Sequence, residues 1–204
     1  MKQLTLDTFK QMLRNALNSI VERQDEFSQL DAVFGDGDHG TAMVTAMTAV
    51  VEAAEKGTNF KSMLNEMGFY VMMQTSGSTS TLLGAFFLGM SDCALGNSLD
   101  ALDVRKMFMG GLENISTQTK AGIGDKTMMD ALIPAVNAME GCASVDINDL
   151  LSVAAAAAKT GADATIEMVA RFGRARNYGE RSKGFMDSGA ASWSAMFGAF
   201  AQLS

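Results

Sequence analysis

The segment TFKQMLRNALNSIVERQ, residues 8–24, indicates what class of fold this chain adopts. Its apolar side chains recur every three to four residues, at Phe9, Met12, Leu13, Ala16, Leu17, Ile20 and Val21. That period gathers them on one stripe of an α-helix, with polar residues on the opposite face. Asp7 precedes the stripe and is the expected N-cap. The segment therefore predicts an amphipathic helix that packs on an apolar core.

Further segments of similar character follow, and they predict helices at 41–56, 60–75, 80–95, 100–117, 126–140, 147–172 and 189–203. Clusters of Gly, Ser, Asp and Asn separate them, as is typical of loops. Asp100 and Asp103 have the spacing of a capping box at the start of their helix. No segment alternates polar and apolar residues with β-branched enrichment, so no sheet is expected. The pattern predicts an all-α protein of eight helices.

The composition narrows the class of protein and of partner. A chain of 204 residues with 48% hydrophobic residues and one proline suits a single helical domain spanning 1–204. The net charge of −7 argues against a broad nucleic-acid or anionic membrane surface. Cys93 and Cys142 form no motif, the first residues lack a signal-peptide core, and no apolar run reaches the roughly 20 residues of a spanning helix. We expect a soluble, cytoplasmic protein without nucleic-acid or membrane partners.

The segment LDAVFGDGDHG, residues 30–40, concentrates acidic side chains. Asp36 and Asp38 cannot share a helix face, because two residues turn a helix through about 200°, so both must act from a loop. A hard divalent cation would relieve the repulsion between them, and Mg²⁺ commonly binds carboxylates together with substrate phosphates. An EF-hand is excluded by Gly40 and Met47 at ligand positions. An ordinary Asp- and Gly-rich turn remains open on these residues alone.

Several other segments are candidate anion contacts. His39 opens a predicted helix near Gly40, where free amides and the helix dipole favour a phosphate, although a metal-bound or a surface imidazole also fits. Hydroxyls in TSGSTST, 75–81, precede another helix. GIGDKT, 122–127, lacks the glycine before Lys126 that a Walker loop requires. The basic run at 171–184 is either an anion contact or a solvated charge run.

The order of these motifs resembles one known family. GDGDHG, a Ser/Thr-Gly loop before LLGAFF, GDKTMMDALIPAV, GRARNYGERSKG and DSGAAS occur in this order over nearly the whole chain. The series resembles the nucleotide-binding subunit of dihydroxyacetone kinases, called DhaL. The resemblance implies an all-α barrel or bundle of eight antiparallel helices, with the nucleotide site in the loops at one end.

The resemblance also implies roles for individual residues. The metal ligands for two Mg²⁺ ions would be Asp31, Asp36 and Asp38. The ADP or ATP contacts would be His39, Gly40, Thr41, Ala42, Gly77, Ser78, Thr79, Thr119, Met128, Arg174, Asp187, Ser188 and Gly189. Thr119 and Met128 would lie near the base and ribose, and most of the others near the phosphates. No covalent nucleophile is expected.

The function implied is transfer of a phosphoryl group to dihydroxyacetone bound on a separate kinase subunit. ADP would stay bound and be rephosphorylated in place by a phosphocarrier of the phosphotransferase system. The sequence departs from the family pattern at Ala42, at the Ser-Thr-Ser-Thr run 78–81 and at Ser188. These departures leave two alternatives open: the nucleotide half of an ATP-dependent kinase for a related ketose such as erythrulose, and a non-catalytic Mg-ADP-binding regulatory module.

Overall fold

The chain is mainly helical in the part that this computed structural model describes, residues 1–74, 77–94 and 96–202. The all-α prediction is confirmed. The α-helices are α1 (Leu6–Glu22), α2 (Gln24–Ala32), α3 (His39–Glu55), α4 (Phe60–Gln74), α5 (Ser78–Cys93), α6 (Ala101–Gln118), α7 (Met129–Gly141), α8 (Ile147–Ala164) and α9 (Ser188–Phe200). Two 3₁₀ segments, Thr165–Glu167 and Arg174–Ser182, lie between α8 and α9.

Eight of these helices close into a ring. Each helix from α3 to α9 packs on the next, α9 packs on α1, and α1 packs on α3. The extra helix, α2, packs on α3 and α9. Inside the ring, aromatic side chains of α5, α6 and α9 meet at centroid separations between 5.2 and 6.3 Å, and these are Phe86, Phe108, Trp193, Phe197 and Phe200. Such tilted and edge-on pairs add specific packing to the hydrophobic burial.

Helix α2 was not expected from the sequence. Its segment QDEFSQLDA buries one large side chain, that of Phe27, so it shows no apolar stripe from which a helix could be predicted. The first cap was also assigned wrongly. The N-cap of α1 is Thr5, whose hydroxyl oxygen accepts a hydrogen bond from the Thr8 amide at 3.2 Å. Asp7 instead lies in the first turn of that helix, where its charge suits the helix dipole.

Two further boundaries differ from the sequence prediction. Helix α8 ends at Ala164, not at 172, and the chain continues in the short 3₁₀ segment. A two-residue antiparallel ladder pairs β1 (Leu4–Thr5) with β2 (Ser98–Leu99), although no sheet was expected. Asp100 and Asp103 form the capping box that their spacing predicts. Some predicted features lie outside the described residues. They are the helix ends at 75, 95 and 203, and Thr75 and Ser76 of the hydroxyl-rich loop.

Within the described residues, no helix is both long enough and apolar enough to cross a bilayer.

Candidate functional site

The loops that precede α3, α7 and α9 and the start of α5 line one cleft of about 440 Å³. A volume of this size is in the range of small-molecule sites. Its wall combines carboxylates, hydroxyls, helix N-termini and apolar side chains. Because four helices begin at this cleft, their unpaired amides and positive dipole ends are directed toward the same space.

Three carboxylates form the acidic part of the wall. Asp31 lies in the last turn of α2, and Asp36 and Asp38 lie in the loop before α3, as their spacing predicts. One ligand oxygen from each can be chosen so that all lie within 4.8 Å of one another. Gly37 adopts a φ of 75°, and its amide donates to the Asp31 carboxylate at 2.9 Å. The loop therefore brings oxygen ligands of the type that hard cations prefer into one cluster.

A basic segment faces this acidic cluster. The guanidinium Nη1 of Arg174 lies 2.6 Å from Oδ2 of Asp36. The hydrogen bond from Arg174 lowers the pKa of the Asp36 carboxyl, and Asp36 raises the pKa of the guanidinium. The ring of Phe34 packs on Tyr178 and Phe185 at centroid distances of 4.9 and 5.6 Å. These aromatic contacts hold the segment that carries Arg174 against the acidic loop.

His39 connects three helices beside the acidic cluster. Its Nε2 lies 2.9 Å from the Ser192 hydroxyl of α9, and its Nδ1 lies 3.5 Å from the Thr79 hydroxyl of α5. Since Ser192 uses its own hydrogen on the Gly189 carbonyl, His39 Nε2 is the donor of that pair. Burial lowers the pKa of His39, and the charges of Asp31 and Asp38 only partly oppose this. The neutral imidazole is therefore favoured at neutral pH.

The first turn of α9 forms another part of the wall. Asp187 is its N-cap and accepts a hydrogen bond from the Ala190 amide at 2.8 Å. Desolvation raises the pKa of Asp187 to about 6, although the Ala190 amide and the nearby Lys126 ammonium both oppose this rise. Ser188 and Gly189 line the cleft directly after the cap. A helix start in this position suits an anionic group.

The loop before α7 is closed by a buried carboxylate. Asp130, which is 1% exposed, accepts hydrogen bonds from the amides of Gly124 and Thr127 at 2.6 and 2.8 Å. Lys126 and Thr127 from this loop line the cleft. Lys126 is 3% exposed, and its ammonium donates to backbone carbonyls of Thr165 and Phe185. GIGDKT is therefore a cleft loop, although it is not a Walker loop.

Most of the predicted site residues line this cleft, namely Asp31, Asp36, Asp38, His39, Ser78, Thr79, Thr119, Met128, Arg174, Asp187, Ser188 and Gly189. The others do not, and they are Gly40, Thr41, Ala42 and Gly77. Gly40 is buried against α2, and Thr41 is exposed beside Gln24. The Ala42 amide is already bonded to the Asp38 carbonyl, and Gly77 is the N-cap of α5 with a φ of 103°.

The apolar side chains of the wall were not predicted as site residues, although several of them lie within the quoted motifs. They come from several elements and include Leu30, Phe34, Leu82, Met129, Phe172 and Trp193. Apolar residues on a helix are normally assigned to the core, so their position at a cleft depends on tertiary packing. Lys126 is a polar residue of the wall that was also not predicted as a site residue. The sequence analysis considered it only as part of a possible Walker loop.

Comparison with known proteins identifies similar chains. A family model described as the DAK2 domain matches residues 33–202. The PTS-dependent dihydroxyacetone kinase, ADP-binding subunit DhaL, of Lactococcus lactis subsp. lactis (strain IL1403) is 32% identical over 196 residues, which is 95% of each chain. The D-erythrulose kinase of Mycolicibacterium smegmatis is 32% identical over 191 residues, covering 85% of this chain and 31% of that protein.

The fold is also found in a solved structure. The dihydroxyacetone kinase of C. freundii, in its native form and in complex with AMP-PNP and Mg²⁺, superimposes with TM-scores of 0.74 and 0.71 at 22% identity. The superposition covers 95% of this chain and about a third of the C. freundii chain. At that identity the likeness establishes a shared fold.

Proposed function

We propose, because the chain belongs to the DAK2-domain family, that it is the nucleotide-binding subunit of a dihydroxyacetone kinase. In this role it is a kinase subunit that presents a phosphoryl group to a small ketose. The single observation that carries the proposal is the arrangement of one cleft, in which the carboxylates of Asp31, Asp36 and Asp38 and the first turn of α9 share a wall. Such a wall suits metal-bound polyphosphate.

The acidic cluster fits Mg²⁺. Its ligands are carboxylate oxygens alone, and both Asp36 and Asp38 are exposed enough to leave room for water and phosphate in the coordination sphere. The relative crystallised with AMP-PNP and Mg²⁺ is consistent with this assignment. We propose that Asp31, Asp36 and Asp38 hold two Mg²⁺ ions. When bound, these ions would neutralise phosphate charge and fix the orientation of the chain of phosphates.

The phosphates would be bound by groups already directed into the cleft. Ser188 and Gly189 offer amides at the start of α9, and Ser78 and Thr79 offer hydroxyls at the start of α5. The neutral His39 ring adds a polar contact between them. The guanidinium of Arg174 supplies positive charge from the solvent side of the acidic loop. Helix N-termini and arginine are the groups that proteins commonly use for phosphate.

The base and ribose would lie on the less polar side of the cleft. Thr119 and Met128 flank the loop before α7, and Leu82, Phe172 and Trp193 contribute apolar surface nearby. An aromatic and aliphatic wall with few polar groups is the usual environment for a flat heterocycle. We propose that the nucleotide binds with its phosphates at the acidic loop and its base against apolar side chains of the wall.

Phosphoryl transfer makes modest demands on such a chain. The reaction depends on in-line positioning and on stabilisation of charge at the transferred group, with little covalent chemistry by the protein. The cleft residues of this chain bind, orient and shield the donor. The acceptor hydroxyl would come from a ketose held on a separate kinase subunit. In the DhaL type of kinase, a phosphocarrier of the phosphotransferase system would then recharge bound ADP.

Erythrulose is the second candidate acceptor. The observation that favours it is the D-erythrulose kinase of Mycolicibacterium smegmatis, which matches this chain at 32% identity. That protein is about three times longer than the region matched, as its covered share of 31% implies. The near-complete match to the Lactococcus lactis subunit, 95% of each chain, favours the separate-subunit arrangement and dihydroxyacetone.

Isothermal calorimetry tests the binding half of the proposal. Purified chain is titrated with ADP in the presence of Mg²⁺ and again after EDTA treatment. We expect tight uptake that requires Mg²⁺ and falls at least tenfold in Asp36→Asn. The matched control is Asp25→Asn, an exposed acid on α2 away from the cleft, which should bind as the unmodified chain does. Equal binding with and without Mg²⁺ contradicts the metal assignment.

A reconstituted assay tests the catalytic half. The chain is mixed with a ketose-binding subunit, the phosphotransferase proteins and phosphoenolpyruvate, and phosphorylated dihydroxyacetone and erythrulose are measured. Product that depends on this chain and disappears in Asp36→Asn supports the kinase subunit. Nucleotide binding without either product identifies a regulatory module instead. Replacing phosphoenolpyruvate by ATP distinguishes retained ADP from an exchanging nucleotide.

A further inference from the structure

Lys126 is a buried cation in the wall of the cleft. Its side chain is 3% exposed, and its backbone φ is 59°. Among residues 1–74, 77–94 and 96–202 it is the one non-glycine residue with a positive φ. That backbone conformation is unfavourable for a residue with a side chain. A buried ammonium in a strained loop requires a compensating set of contacts.

The contacts of Lys126 lead to the start of α9. Its ammonium donates to the carbonyls of Thr165 and Phe185, at 2.5 Å each. The hydroxyl of Thr165 accepts a hydrogen bond from the amide of Asp187 at 3.0 Å. Asp187 in turn caps α9 through the Ala190 amide. Lys126 therefore joins Thr165 to Phe185, and Thr165 in turn contacts Asp187, the residue that caps α9.

The charges around Lys126 explain why it stays in place. Burial lowers the pKa of its ammonium, and the carboxylates of Asp187, Asp130 and Glu167 oppose that effect. Two of its three N–H groups are already used on backbone carbonyls. Lys126 is therefore less available to bind a phosphate than a lysine without these hydrogen bonds would be. Its hydrogen bonds are directed at the protein backbone that shapes the cleft.

We propose that Lys126 is a positioning residue of the nucleotide cleft, which fixes the N-terminal turn of α9 so that the amides of Ser188 and Gly189 meet the phosphates. The inference rests on the proposed nucleotide-binding function. The favourable effect of a helix start on an anion is confined to the first turn. Anion binding at α9 therefore depends on where the amides of that turn point. Loss of the lysine would remove the positive charge that stabilises the Asp187 carboxylate and would loosen that turn.

The test compares Lys126→Met with Lys120→Met. Methionine keeps the length of the lysine side chain and removes the ammonium, and Lys120 is an exposed lysine of the same loop that does not line the cleft. Two quantities are measured on each purified chain: the Kd for ADP in Mg²⁺ by calorimetry, and amide hydrogen exchange of the first turn of α9 without nucleotide. We expect Lys126→Met to raise the Kd ten- to a hundredfold and to speed exchange at the hydrogen-bonded amides of Asp187, Ala190 and Ala191. Lys120→Met should change neither.

The outcomes separate the inference from the proposed function. If the unmodified chain binds ADP and Lys126→Met binds within threefold of it, the positioning role is wrong and the function stands. If the unmodified chain binds no ADP, the function is wrong, and hydrogen exchange alone decides whether Lys126 holds α9. Unchanged exchange in Lys126→Met overturns the inference in either case.

A second variant covers failure of Lys126→Met to fold. Thr165→Val removes the hydroxyl that accepts from the Asp187 amide and preserves the shape of the buried side chain. It breaks the same chain of contacts one step later. We expect faster exchange at the Ala190 and Ala191 amides and a three- to tenfold higher Kd for ADP. Values equal to those of the unmodified chain would overturn the positioning role.

Discussion

The guanidinium of Arg174 and the carboxylate of Asp36 lie 2.6 Å apart, so a cation of the protein already pairs with a carboxylate that is proposed to bind Mg²⁺. The two side chains are 62% and 50% exposed. Solvent screens such a pair, and the arginine can leave it at little cost. The same arginine that competes with Mg²⁺ for Asp36 would be free to contact phosphate once the metal is bound.

This relationship predicts opposite effects of one substitution. Arg174→Ala should raise the affinity for Mg²⁺ alone by about three- to tenfold, because a competing and repelling positive charge is removed from the acidic cluster. It should lower the affinity for Mg-ADP by a similar factor, because a charged phosphate contact is lost. Calorimetry with MgCl₂ alone and with Mg-ADP measures both.

The matched control for Arg174 is Arg176→Ala, an exposed arginine of the same 3₁₀ segment that does not line the cleft. It corrects for the change in net charge. A parallel weakening of both affinities in Arg174→Ala would contradict competition at Asp36 and would assign the arginine to folding of the loop.

Gly40 provides a prediction about stability. A Cβ built on Gly40 would lie 2.0 Å from the Gln24 carbonyl oxygen and 2.6 Å from the Ser28 hydroxyl. Helix α3 therefore lies so close to α2 that only glycine fits at position 40. Gly40→Ala should reduce the free energy of unfolding by about 2–4 kcal/mol, as overpacking against backbone does. Urea unfolding followed by circular dichroism measures it.

The control for Gly40 is Gly198→Ala on α9, where an added Cβ meets nothing within 4 Å. Alanine there should stabilise the helix by up to about 1 kcal/mol. Gly40→Ala should also weaken Mg²⁺ binding, because α2 carries Asp31. An unfolding free energy equal to that of the unmodified chain would mean that α2 can shift without cost, and that Gly40 serves another purpose than close packing.

The parts of the fold that the sequence predicted are those with a local physical signal. The apolar stripe from Phe9 to Val21 predicted α1, and the Asp100 and Asp103 spacing predicted the cap of α6. Helix α2 gave no such signal, because Phe27 is its one buried side chain and its stability comes from α3 and α9. Tertiary contacts outweigh local propensity in a helix of this kind.

The candidate site divides in the same way. Asp36, Asp38 and His39 were predicted because acid and glycine crowd into one loop, and these residues line the cleft. The apolar wall was not found, since Leu82 and Trp193 belong to helices whose other apolar residues form the core. Lys126 was noted in the sequence, but its hydrogen-bond partners are 39 and 59 residues away along the chain, so these contacts could not be predicted.

Asp187 has a charge that is costly in the folded protein. The pKa of its carboxyl is raised from 3.8 to about 6. Desolvation is the largest cause, the Ala190 amide and the Lys126 ammonium oppose the rise, and the charges of Asp130 and Asp31 add to it. The folded chain therefore binds a proton at Asp187 more tightly than the unfolded chain does. The stability that this difference contributes is fully present below about pH 4 and is lost as the pH rises toward 6.

Asp187→Asn should remove this pH dependence, because asparagine caps a helix well and carries no titrating proton. In buffer without nucleotide or divalent metal, the free energy of unfolding of Asp187→Asn relative to the unmodified chain should rise by about 1–3 kcal/mol between pH 4 and pH 7. Calorimetric melting at half-unit pH steps measures the difference, and ligands must be excluded because binding stabilises the folded state by itself. Asp163→Asn, an exposed acid of α8, corrects for loss of one carboxylate. A difference that stays constant across this range would mean that Asp187 titrates as an ordinary carboxyl, and the cap would then carry a full charge at the cleft throughout the physiological range.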